Sequence, residues 1–165
     1  MSPALHDRLL DLLVRRMDGT IPGAELVDWA TSALEEGVES ESLVILAGLA
    51  RNCSMYEAVS LLDRGLTELK LKVPAAEALR RAYVGAVSRA ILAGGISADQ
   101  ALDRIHRRVV TPLGHPPDLA PWCFVWEGLH PDDYRTLDPI QQEEEARRLA
   151  EAWASYPPEG GGEAA

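Results

Sequence analysis

Four side chains in one stretch of this sequence could ligate a metal or move a proton: His106, His115, Cys123 and His130. Imidazole nitrogen and thiolate sulfur are zinc donors, and an imidazole is the commonest general base. Their spacing argues against a metal. The gaps are nine, eight and seven positions, whereas compact zinc patterns set paired ligands about two to five residues apart on one turn or helix. His106 shares a helical stretch with Arg104, Arg107 and Arg108, as a surface side chain would, and Cys123 lies among aromatic residues, as a core thiol would. No metal and no cofactor are expected.

The run His130-Pro131-Asp132-Asp133-Tyr134 brings an imidazole near two carboxylates, the pairing of a general base with its orienting group. It also has the composition of an ordinary turn, and no serine or cysteine nucleophile motif accompanies it, so no catalytic residue is assigned. Arg80, Arg81, Arg89, Arg104, Arg107 and Arg108 could form a basic face. They lack interleaved aromatic residues and any nucleic-acid motif, so pairing with the acidic segments of the chain is expected instead of phosphate binding. The strongest local feature is Trp122-Cys123-Phe124-Val125-Trp126, between Pro121 and Gly128. Its alternation predicts a short extended lid packed on helices, which serves as a core plug or a partner-binding anchor.

The elements that must position these residues are helices. Apolar positions recur with helical period from residue 4 to 17, from Pro22 to Gly37, from Ser40 through Leu49, from Ser54 to about residue 70, from Pro74 to Gly94, from Ser97 to Pro112, and from Pro139 to Trp153. Ser54 with Glu57, and Ser97 with Gln100, have capping-box spacing. The near-continuous apolar run Leu43 to Leu49 predicts a short helix buried on most sides. Six of the nine aromatic residues and eight of the eleven prolines lie beyond residue 110, which marks an irregular segment before the last helix. The expectation is an all-α protein, a single compact domain of about seven helices over residues 1–156, with a disordered Gly/Pro/Glu tail at 157–165.

Net charge falls in blocks: −6 over residues 1–50, +4 over 51–110 and −8 over 111–165. Acidic ends repel nucleic acid and can steer a basic protein partner. Two cysteines make no disulfide framework, and the apolar runs are too short to span a bilayer, so a cytoplasmic protein without membrane contact is expected, monomeric or weakly dimeric.

The succession of capped helices, the acidic segments around Glu35-Glu36 and Asp132-Asp133, and the stretch from Trp122 to Gly128 resemble small acidic all-helical bacterial immunity proteins. That resemblance implies a non-enzymatic protein that blocks a basic partner, with Trp122, Trp126, Asp132, Asp133, Tyr134, Glu35 and Glu36 on the binding surface. The alternative is a small metal-dependent enzyme or accessory protein using His115, Cys123 and His130.

Overall fold

The computed structural model describes residues 1–156, and the tail expected to be disordered lies outside the described residues. The fold is all-α. Eight α-helices occur among the described residues: α1 (Pro3–Met17), α2 (Gly23–Glu35), α3 (Glu41–Ala47), α4 (Met55–Glu68), α5 (Ala76–Leu92), α6 (Ala98–Ile105), α7 (Ala120–Trp126) and α8 (Pro139–Trp153). A π-helical segment, His106–Val110, extends α6, and a 3-10 turn, Pro117–Leu119, leads into α7. None of these helices is long and apolar enough to cross a membrane. The helices gather into two compact units, residues 1–75 and the chain from Ala76 onward.

In the first unit α2 packs against α1, α3 and α4. Its Trp29, which the apolar pattern did not single out, is fully buried and donates its indole N–H to the Leu5 carbonyl at 3.1 Å. Ion pairs between Arg15 and Glu25, and between Arg16 and Asp63, tie α1 to α2 and to α4. Ser40 caps α3 through the Leu43 N–H, as predicted. Helix α3 is nevertheless not buried on most sides. Leu43 and Leu46 face inward, but Val44 is 58% and Ile45 48% exposed, because a helix of seven residues has one inner face whatever the composition of the other. The capping box predicted at Ser54 is also absent: that side chain makes no capping hydrogen bond.

A long-range cap, invisible to local spacing, supplements Ser40. The Glu68 carboxylate at the end of α4 accepts from the Ser40 and Ser42 hydroxyls and from the Ser42 N–H. A negative group is thereby set at the positive end of α3. These bonds, that from the Ser40 hydroxyl foremost, hold the Glu68 carboxyl below its ordinary value.

In the second unit α5 packs against α6, the π-helical segment and α8. It is buried almost continuously from Leu79 to Ser88. Gly85 permits this, since a Cβ there would lie 2.3 Å from the Tyr156 carbonyl oxygen. Arg89 fixes the same chain end by donating to the Ala154 and Tyr156 carbonyls. The two predicted starts at Ser97 and Pro139 hold, and both are closed capping boxes, Ser97 with Gln100 and Asp138 with Gln141.

The extended lid is a correction. Residues 120–126 form helix α7, with Pro121 in its first turn, where a proline's fixed φ and missing N–H cost nothing. Trp122 and Val125, three apart, face inward with Leu119, so the apparent alternation of large residues is a helical stripe with Phe124 and Trp126 on its outer side. A Schellman turn ends it: Leu129 donates to the Phe124 carbonyl and Gly128 to that of Val125, with Gly128 at φ +75°.

Gly85→Ala should destabilise by about 1–3 kcal/mol in urea denaturation, because backbone must move. Gly48→Ala, in a right-handed conformation with nothing nearer than 3.5 Å to the added carbon, should be neutral or stabilise by up to about 1 kcal/mol. Glu68 contributes stability above its unfolded-state pKa that is lost as pH falls through its lower folded-state value. Glu68→Gln should therefore flatten the acid limb of the stability curve relative to the parent, and an unchanged limb would show that the serine contacts are absent in solution.

Candidate metal centre

The second unit brings together three of the four residues that the sequence spacing argued against. His106, His115 and Cys123 each offer a ligand atom, and the three atoms lie within 4.8 Å of one another. Each arrives from a different element: the start of the π-helical segment, the loop that follows it, and the middle of α7.

The first of these elements departs from regular geometry where it supplies its ligand. At residue 106 the α-helical register gives way to i→i+5 bonding, so that the Thr111 N–H reaches the His106 carbonyl at 3.0 Å. The Arg108 carbonyl takes a hydrogen bond from the guanidinium of Arg80, itself a buried residue of α5. Segments of this kind are an unusual helix form, found often at functional sites.

The loop then reverses through two consecutive left-handed residues, Gly114 at φ +72° and His115 at φ +58°. Gly114 donates to Thr111 and His115 to Val110, closing the turn. Glycine takes that conformation freely, but for an L residue it costs about 1–2 kcal/mol. Pro116 adds to the cost, because a residue before proline is pushed towards extended backbone. His115 is thus held in a doubly unfavourable conformation, and it is the one that directs an exposed imidazole towards His106 and Cys123. Such a conformation persists only where the surrounding structure holds it, here through the turn hydrogen bonds of Gly114 and His115.

Surrounding contacts fix the half-buried ligands. The Trp126 indole stacks face to face on the His106 ring, centroids 3.8 Å apart and planes 2° from parallel. The His115 ring meets His106 edge-on at 6.0 Å. Glu127, one turn after Cys123, places a carboxylate oxygen 3.7 Å from the thiol sulfur. Burial, followed by the charge potential of His115, lowers the His106 pKa and favours its neutral, ligand-competent form. Burial first and the Glu127 charge second push the Cys123 thiol up. A divalent cation reverses that second preference, since thiols deprotonate on coordination.

His130 does not join the group. Its ring lies between Asp133, at 3.1 Å, and Glu145 of α8, at 3.5 Å, and so latches the loop of residues 128–137 to the last helix. An antiparallel bridge between Leu129 and Thr136 closes that loop. Trp122 is 1% exposed, in the core, and cannot contact a partner from there. Trp126 is 39% and Tyr134 60% exposed, with Asp132 and Asp133 on the surface nearby in the chain. Phe124 packs edge-on against Tyr134, centroids 5.0 Å apart. Glu35 and Glu36 are exposed in the first unit, at the end of α2, where the Glu36 carboxylate accepts from the Ser2 N–H and hydroxyl, each at 2.7 Å.

The roles of Trp126 and Glu127 at the centre escaped the sequence reading. Their signal was the i,i+4 spacing of Cys123 and Glu127, which has meaning only if residues 120–126 are read as helix. No family of known proteins matches this chain, and neither does any curated protein or solved structure.

Proposed function

We propose that the protein is a metal-binding helical protein that holds one transition-metal ion, zinc in the first instance, through His106, His115 and Cys123. The observation that carries this reading is the convergence of three donors from three separate elements within 4.8 Å. The strained backbone at His115 supports it independently. Two imidazoles and a thiolate are borderline-to-soft donors, suited to zinc and unsuited to calcium or magnesium, which take oxygen. Protein purified without a histidine tag or chelator should carry, or take up, one zinc ion per chain by elemental analysis. The triple variant His106→Ala, His115→Ala, Cys123→Ser should take up none. Equal uptake by parent and triple variant would refute the assignment.

A second reading concerns the surface beside the centre. The exposed aromatic residues Trp126 and Tyr134, with Asp132 and Asp133 between them in sequence, combine apolar anchors with an acidic rim. Tyr134 is fixed at φ +56° and braced by Phe124, so it is presented with little conformational freedom to lose. This favours a non-enzymatic role in which the surface docks a protein with a basic face, as an immunity-type inhibitor does. Trp122 has no part in it. On a candidate basic partner, Asp132→Asn with Asp133→Asn should slow association mainly at low salt. Tyr134→Ala should instead speed dissociation by about tenfold with little salt dependence. Unchanged rates for both, by surface-plasmon kinetics, would exclude this surface.

A further inference from the structure

Resting on the metal reading above, we infer that Glu127 is the fourth ligand of the ion, so that the centre is a closed His-His-Cys-Glu tetrahedron acting as a structural clamp. A zinc ion bound by three protein groups leaves a fourth position open to water or substrate, as in catalytic sites, whereas a fourth protein ligand closes it. The choice between the two decides whether chemistry takes place at the metal.

The geometry points to closure. With zinc–sulfur and zinc–oxygen bonds of about 2.3 and about 2.1 Å, a tetrahedral angle sets sulfur and oxygen about 3.6 Å apart. The Cys123 thiol donates to Glu127 Oε1 across 3.7 Å, a separation close to one edge of such a tetrahedron, although Glu127 stands outside the three-donor group itself and its exposed side chain would turn towards the ion. The pair comes from one helical turn, with the Glu127 N–H bonded to the Cys123 carbonyl at 2.9 Å, which fixes their relative placement. Of the other neighbours, Trp126 covers a face of His106 with a ring that has no lone pair to give, His130 is engaged by Asp133 and Glu145, and Asp103, whose charge also acts on His106, is paired with Arg107 at 2.6 Å.

Charge agrees with this assignment. Glu127 sits at the C-terminal cap of α7, where the negative helix end favours a cation. With the ion bound, two neutral imidazoles, one thiolate and one carboxylate carry a charge of −2, which neutralises a divalent cation. Nothing needs to be oxidised or reduced; binding releases the Cys123 proton to solvent. The bound ion would then join the π-helical segment, the strained loop at His115 and α7 into one rigid assembly. It holds a surface in shape and turns over no substrate.

The test is a cobalt(II) and zinc(II) titration of the untagged full chain and of Glu127→Gln, with circular dichroism confirming that both are folded. The parent should bind one cobalt ion with the intense visible bands of a tetrahedral thiolate site, and those bands should not change on adding imidazole or thiocyanate. Glu127→Gln should bind about tenfold or more weakly, and its spectrum should shift with the added ligand as the fourth position opens. If the parent spectrum shifts with added ligand, or if Glu127→Gln binds as tightly as the parent, Glu127 is not a ligand and the centre is open, while the three-donor reading survives. If the parent binds neither ion, both readings fall together.

Discussion

The turn of residues 111–116 is the constraint on which the centre depends. A chain leaving α6 must reverse, satisfy the backbone groups freed at the helix end and re-enter a helix at Pro117, all within a few residues. It does so by loosening the last turn of α6 into π geometry and by placing Gly114 and His115 in the left-handed region. The first device presents His106 and the second presents His115; α7 then returns Cys123 to meet them. Replacing the left-handed pair by an ordinary extended connection would leave all three side chains in place along the sequence and separate them in space.

Much of the scaffold was legible because it is local. The capping boxes at Ser97 and the start at Pro139 were read from side chains three residues apart or from a proline's fixed φ, and both occur. Pattern and structure parted where tertiary partners decide. Ser54 has capping spacing but makes no cap, while Ser40 shares its role at α3 with Glu68, distant in sequence. Val44 and Ile45 are apolar yet exposed. Prolines at 117 and 121 looked like breakers of structure but stand at the beginnings of helical turns. That last misreading hid the centre, because gaps of nine and eight positions match no compact ligand pattern unless both the π-helical segment and α7 are known.

The charge blocks of the sequence are partly spent inside each unit. In the second unit Arg81 pairs with Asp118 and Glu77, and Arg107 with Asp103. Arg80 donates to the Arg108 carbonyl and Arg89 to the Ala154 carbonyl. Of the arginines expected to pair with the acidic segments, Arg81 does so through Asp118, whereas Arg107 pairs within its own helical stretch. Of the acidic residues after α7, Asp133 is likewise engaged, by His130 and Arg135, while Asp132 lies at the surface two positions before Tyr134. The proposed clamp and the proposed acidic and aromatic docking surface are compatible, since an ion held there would help the neighbouring loop keep its shape.

X-ray absorption at the zinc edge of the loaded, untagged protein tests the central claim most directly, because it reports the ligands without relying on a variant. The account predicts one sulfur at about 2.3 Å and three nitrogen or oxygen neighbours at about 2.0–2.2 Å, with the outer-shell scattering of two imidazole rings. A first shell without sulfur, or one of six oxygen and nitrogen neighbours, would contradict it.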